Sequence, residues 1–254
     1  MQNRVQVIVG RKGSGKSTLV AEIMASEPRV ICIDSMAEYD RLPGGRRMEV
    51  LEGTDACLDA IVEADERRSS FRLACRTLDV DENLDLLGVA YHCPGTMIVV
   101  EESSLYCSPQ SFPREIAQLI RYGRHKQLDL VFVARRPAEL HRDLTANADV
   151  LVTFQQQEPR DLEYLRAFYG DDVEDLPTLP PYHVRVFGDL SRASSPVLER
   201  IATQGRPASW RERLDEARTP DELRELRELD EDVASDEADD DDAGPGPEDE
   251  HGIL

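Results

Sequence analysis

Gly10 to Thr18, reading GRKGSGKST, fills every fixed position of the pattern G-x-x-x-x-G-K-[ST]. Residue types at this spacing serve a single kind of ligand. Gly10, Gly13 and Gly15 let the backbone curl until successive N–H groups point inward at an anion, with Arg11, Lys12 and Ser14 filling the turn between them. A helix starting at the end of the loop adds its partial positive charge. Lys16 can reach the β- and γ-phosphates of a nucleoside triphosphate, the hydroxyl of Ser17 can ligate Mg²⁺, and Thr18 completes the pattern. The expected ligands are therefore ATP and Mg²⁺.

A second constellation follows in the order such chemistry needs. Ile98-Val99-Val100-Glu101-Glu102 reads as a buried strand delivering two carboxylates to the tip of a sheet, beside the phosphate loop. The first acid, Glu101, is placed to hold the Mg²⁺ shell together with Ser17. The second, Glu102, is placed to polarise an attacking water. A hydrolytic Glu after the metal acid favours an ATPase over a P-loop small-molecule kinase. Lys16, Glu101 and Glu102 form the expected catalytic set.

These residues need a scaffold, and the hydrophobic pattern supplies one. Val5–Val9 before the loop and Leu19–Met24 after it read as a strand and a helix. Strands are expected at Arg29–Asp34, Phe71–Thr77, Thr96–Val100, Leu128–Ala134, Ala148–Phe154 and His183–Phe187. Between them, helices are expected at Asp55–Arg67 (with Thr54 as N-cap), Asp81–Tyr91, Pro113–Tyr122 and Pro159–Phe168. Alternation of apolar strands with helices implies an α/β fold with a mostly parallel sheet covered on both faces. Beyond Gly188 the pattern weakens. The expected organisation is a domain over 1–190, a C-terminal helical extension over 191–230 with Trp210 as its anchor, and a disordered acidic tail over 231–254.

Charge bounds the partners. The net charge of −21 includes 11 acidic residues between Glu231 and Leu254, where no Lys or Arg occurs. The rest carries 40 acids against 30 bases, so contact with nucleic acid requires a local basic surface. Arg41, Arg46, Arg47, Arg67 and Arg68 are candidates for one. Five scattered cysteines without a C-x-x-C pair suggest reduced thiols. No apolar run approaches about 18 residues, so no membrane segment is expected. His125, His141 and His183 lack metal-ligand spacing and are expected to be structural. Tyr39 and Tyr91 are expected to pack rather than to stack on a base; Asp34 and Glu38 either meet the nucleotide site or cap the strand and the turn after it, with the structural role favoured.

The motifs together resemble the HerA/FtsK superfamily of DNA-pumping P-loop ATPases, with their RecA/ASCE-like core. Asp34-Ser-Met-Ala-Glu38-Tyr39 is similar to the family's D-p-x-x-E-Y segment. Gly123-Arg124-His125, the strand after it and Arg135-Arg136-Pro137 are similar to the segment ending T-Q-R-P, and Asn147-Ala148-Asp149 to its continuation. The resemblance implies an ATP-driven motor on double-stranded DNA, built as a ring, usually a hexamer. Among its small members, viral and prophage genome packaging is the implied task. A viral capsid or portal vertex protein is the implied partner, and the host cytoplasm or the virion the implied location. A phage assembly or secretion ATPase of the zonula occludens toxin type is the alternative.

The resemblance also implies that Arg124, with Arg121 three residues before it, supplies a cation to a neighbouring subunit's site. Two positions depart from the pattern. Glu101 stands where Asp is usual, and Arg135 stands where the family has the Gln that senses the γ-phosphate. Arg135 is either a direct phosphate contact or a surface substitution.

Overall fold

Each central strand carries apolar residues on both sides, so the sheet must be covered on both faces. The computed structural model describes residues 4–67, 69–77 and 79–189. The helical extension expected at 191–230 and the tail at 231–254 lie outside them, as does Arg68.

In chain order the elements are β1 (Arg4–Val9), α1 (Lys16–Ser26), β2 (Arg29–Ile33), β3 (Arg41–Leu42), β4 (Arg46–Arg47) and β5 (Glu49–Glu52). Then come α2 (Thr54–Arg67), β6 (Phe71–Arg76), α3 (Val80–Ala90), β7 (Met97–Val100), α4 (Arg114–Tyr122) and β8 (Asp129–Ala134). The last are α5 (Arg142–Ala146), β9 (Val150–Thr153), α6 (Pro159–Tyr169) and β10 (Arg185–Gly188). Eight strands form one sheet in the order β10-β9-β1-β8-β7-β2-β6-β5, while β3 and β4 pair separately as a hairpin. Within the sheet only β10 runs antiparallel, against β9.

Alternate residues of β1 enter opposite cores. Val5, Val7 and Val9 pack with α2, α3, α4, α5 and α6 through Ile61, Leu86, Leu119, Leu144 and Leu165. Ile8 faces the other way, into a core built from α1 (Val20, Ile23, Met24) with Tyr39, Leu42 and Met48. Five helices thus cover one face, and α1 with the segment around the hairpin covers the other. All five cysteines are buried as free thiols. No described helix is long and apolar enough to cross a membrane.

Some elements carry too little local signal to stand out in the sequence. β5 has only Val50 and Leu51 between two glutamates, and it pairs with β6 alone, as an edge strand. α5 is one short turn whose N-terminus is capped by the His141 ring, which accepts from the Asp143 N–H at 3.1 Å. The expected cap at Thr54 is not one: Thr54 opens α2, and its hydroxyl donates to Glu82.

Asp129 opens β8 opposite Arg4 and is buried, with one carboxylate oxygen that has no hydrogen-bond partner. Burial raises its pKa to about 7; Arg4 opposes the shift and Glu27 adds to it. A carboxyl whose folded pKa lies above its unfolded value holds its proton in the folded state. Its contribution is fully present below the unfolded value, near 4, and is lost as pH rises through about 7. Asp129→Asn should therefore gain stability relative to the parent across this window, on the order of 2 kcal/mol by pH 8. Denaturant titrations of both proteins at pH 5, 6, 7 and 8 check this; a constant difference between them would contradict it.

Candidate active site

The sheet register assembles the candidate residues along one edge. Val9 of β1 pairs with Ala134 of β8, and Phe132 of β8 with Val100 of β7. Val100 also pairs with Ile33 of β2, which pairs with Cys75 of β6. The residues that leave β1, β8, β7 and β2, namely Gly10, Arg135, Glu101 and Asp34, therefore gather at the carboxyl ends with Arg76, the last residue of β6, where open α/β sheets bind ligands. Glu101 and Glu102 reach the phosphate loop across a strand: β8 runs between β1 and β7, yet the charges of both carboxylates act on Lys16. Two strand spacings leave a gap of roughly 10 Å, and Arg135 rises into it from the strand between.

The loop is shaped for close approach. A Cβ on Gly10 would lie 2.6 Å from Ser14 Oγ and 2.8 Å from Phe154 Cβ, so no larger residue fits without movement. Gly15 caps α1 with φ 98°, a left-handed conformation that side chains disfavour. No side chain caps α1, and no acid sits in its first turn, so its leading N–H groups are left for an anion. Ser14 Oγ is buried without a partner. An orphaned hydroxyl beside a glycine-lined turn and an uncapped helix end fits a polyphosphate. Arg11 ties the loop to the exit of β9, donating to Gln157 and Gln155 at 3.2 Å each, while Lys12 is exposed. Lys16 folds back, donating to the carbonyl oxygens of Gly10 at 2.7 Å and Arg11 at 3.1 Å. Burial lowers its pKa, against the opposing charges of Glu101, Glu102 and Glu38.

The acids follow two strands, β7 and β2. Glu101 is buried; one oxygen accepts from the Tyr39 hydroxyl and the other from the Glu102 N–H at 3.3 Å. Burial raises its pKa to about 7, with the Tyr39 hydrogen bond working against the rise. Glu102 follows in a left-handed conformation, φ 44° and ψ 47°, and its Oε1 accepts from Arg135 Nε at 2.6 Å.

Asp34 and Glu38 part company. Asp34 is fully buried and accepts from the Glu38 N–H (2.9 Å), the Tyr39 N–H (3.3 Å) and Arg76 Nε and Nη2 (3.0 Å each). It builds the turn, as expected. Glu38 does more than shape that turn: its carboxylate accepts from the hydroxyl of Ser17.

The oxygen donors around Ser17 suit a hard cation. Among the described residues no cluster of three or more His, Cys, Asp or Glu forms a metal cage. Mg²⁺ needs none, since one or two carboxylates with water and substrate phosphates suffice. The Ser17 hydroxyl with Glu38 and Glu101 fits that requirement.

Other candidates lie elsewhere. Tyr39 is fully buried, so its ring cannot receive a base. Tyr91 ends α3 with Lys126 Nζ 5.9 Å from its ring centroid. Arg124 is exposed in the turn Gly123–Lys126 that enters β8 from its amino end. The length of β8 puts it roughly 20 Å from Arg135, so it cannot serve the site of its own chain. Arg121 is exposed in the last turn of α4. His141 stacks on Phe112 at 4.7 Å.

No protein-family model matches the chain, and no curated protein matches it. Solved structures do. The genome packaging NTPase B204 from Sulfolobus turreted icosahedral virus 2, in complex with AMPPCP, superposes with a TM-score of 0.60 at 21% identity, over 75% of this chain and 95% of that one. This is a P-loop NTPase fold. The same protein in complex with ATP-gammaS gives 0.58 at 19% identity, over 75% and 94%. B204 from Sulfolobus Turreted Icosahedral Virus, a DNA-packaging ATPase, gives 0.54 at 18%, over 76% and 96%.

The P-loop geometry sets a direct expectation. Gly10→Ala pushes a methyl group into Ser14 and Phe154, which should cost about 1–3 kcal/mol of stability. It should weaken AMPPCP binding roughly tenfold or more, because the loop N–H groups shift together. Calorimetric titration with thermal melts checks both, and unchanged affinity would show that the loop does not hold the ligand.

Proposed function

We propose that this chain is an ATP hydrolase that drives double-stranded DNA through a ring of its own copies, in the manner of a genome-packaging motor. The observation that carries the hydrolase reading is the convergence of Lys16, Ser17, Glu101, Glu102 and Arg135 at one sheet edge, around an uncapped helix end. Loop N–H groups orient the triphosphate. Lys16 leaves its two carbonyl partners for the β- and γ-phosphates. Ser17, Glu38 and Glu101 would hold Mg²⁺, which when bound would supply positive charge against the phosphate oxygens. Glu102 orients the attacking water and takes its proton. Arg135, in the gap left by β8, meets the γ-phosphate. Arg124, too far to serve its own site, reaches the adjacent subunit's nucleotide, where such a cation is worth about 10³–10⁵ in rate in other NTPases.

The DNA reading rests on the motif resemblance, on the likeness to B204 over three-quarters of the chain, and on the β3–β4 hairpin. Arg41, Arg46 and Arg47 are exposed there, and Arg41 and Arg47 are cross-strand partners. In a chain of net charge −21, such a local basic surface is what DNA contact requires. A hexameric ring and docking to a capsid or portal vertex belong to the same reading.

Wild-type protein should hydrolyse ATP faster with double-stranded DNA present. Lys16→Ala should lose nucleotide binding, and Glu102→Gln should bind ATP without turnover. Mixing Arg124→Ala with Glu102→Gln subunits should recover part of the rate, since some interfaces then hold both groups intact. Nucleotide titration checks binding by the two variants, and steady-state phosphate release checks the rates. Hydrolysis by Glu102→Gln at the wild-type rate would overturn the assignment of the base, and hydrolysis indifferent to DNA would overturn the motor.

A further inference from the structure

We infer that Arg135 and Glu102 form a latch that a triphosphate opens and a diphosphate does not, so that the Glu102 carboxylate is held back from water until a third phosphate arrives. The inference rests on the nucleotide-site reading above. Glu102 Oε1 accepts from Arg135 Nε at 2.6 Å, so an oxygen that would take the proton from water is already engaged. Glu102 keeps only 15% of its side chain exposed, whereas Arg135 keeps 48% and has room to swing. The pair stands in the gap between the phosphate loop and β7, because β8 delivers Arg135 there.

A nucleotide seated in the loop brings its terminal phosphate toward that gap. The γ-phosphate offers several charged oxygens to a guanidinium whose planar fork suits them, against the one oxygen that Glu102 supplies. Moving Arg135 onto phosphate releases Glu102 toward water as the substrate arrives. A diphosphate ends one group short and leaves the pair closed. The latch therefore links recognition of the third phosphate to release of the base, and it holds the base back while the site is empty or carries product. Gln, the residue of the family pattern at this position, has no charge with which to close such a latch.

If Glu102 competes with the γ-phosphate for Arg135, neutralising Glu102 should strengthen triphosphate binding, and only while Arg135 is present. The test is a double-mutant cycle on the full chain with Mg²⁺, titrating AMPPCP and ADP into wild type, Glu102→Gln, Arg135→Gln and the double variant. AMPPCP removes turnover from the measurement. Glu102→Gln should tighten AMPPCP binding roughly fivefold to tenfold, the scale of one charge-assisted contact, and leave ADP binding unchanged. Arg135→Gln should weaken AMPPCP binding, and adding Glu102→Gln to it should restore nothing. The same Glu102→Gln effect in both Arg135 backgrounds, an equal effect on ADP, or weaker AMPPCP binding by Glu102→Gln overturns the latch while the nucleotide site stands. A wild-type chain that binds neither nucleotide overturns the site itself and the latch with it.

Discussion

A sheet in which β8 separates the phosphate loop from the acid pair constrains everything else at the active edge. α1 carries the chain from β1 straight to β2, three positions along the sheet, and leaves the intervening places to be filled by β7 and β8. The loop and the acids are therefore held at a fixed separation by a strand that arrives more than a hundred residues after β1. That strand is fully buried from Asp129 to Ala134, so its position is set by packing on both faces. The residue that follows it, Arg135, has one place to go. Hydrolytic geometry here depends on long-range pairing, and mutations that loosen β8 should act on the site without touching it.

The edge is also electrostatically closed on itself. Lys16 binds loop carbonyls, Ser17 binds Glu38, Glu101 binds Tyr39, and Glu102 binds Arg135. Each of these side chains has a partner within the protein, while Ser14 Oγ is buried without one. Nucleotide binding is therefore an exchange of partners: loop carbonyls and carboxylates give up their cations and hydroxyl to phosphate and metal. Such an exchange is sensitive to how many phosphates arrive. Asp34 keeps the framework in place during it, because its four contacts lie wholly within protein and none involves the loop.

What could be seen in the sequence was what local signals encode. The loop, β1 and α1 are adjacent in the chain, and the glycine spacing states their geometry directly. β7 and β8 are uniformly apolar runs, so their existence was legible, but the insertion of β8 beside β1 is a tertiary fact that no local pattern records. Glu38 illustrates the boundary. Its turn was readable from Asp34, yet its partner Ser17 lies 21 residues earlier and across the sheet edge, and nothing local separates a turn-shaping carboxylate from one facing the loop. The β3–β4 hairpin and α5 are too short for periodicity to register. Arg124 could be aligned by resemblance, while its place at the opposite edge from Arg135 became plain only with the strand directions.

The most direct measurement is a crystal structure of the full chain with AMPPCP and Mg²⁺. The account predicts phosphates on the N–H groups of Gly13 to Lys16, with Lys16 Nζ withdrawn from the Gly10 carbonyl that it now meets at 2.7 Å. It also predicts Arg135 Nε turned from Glu102, 2.6 Å away here, onto the γ-phosphate. Nucleotide bound away from this loop, or bound in it with both contacts intact, would contradict the account.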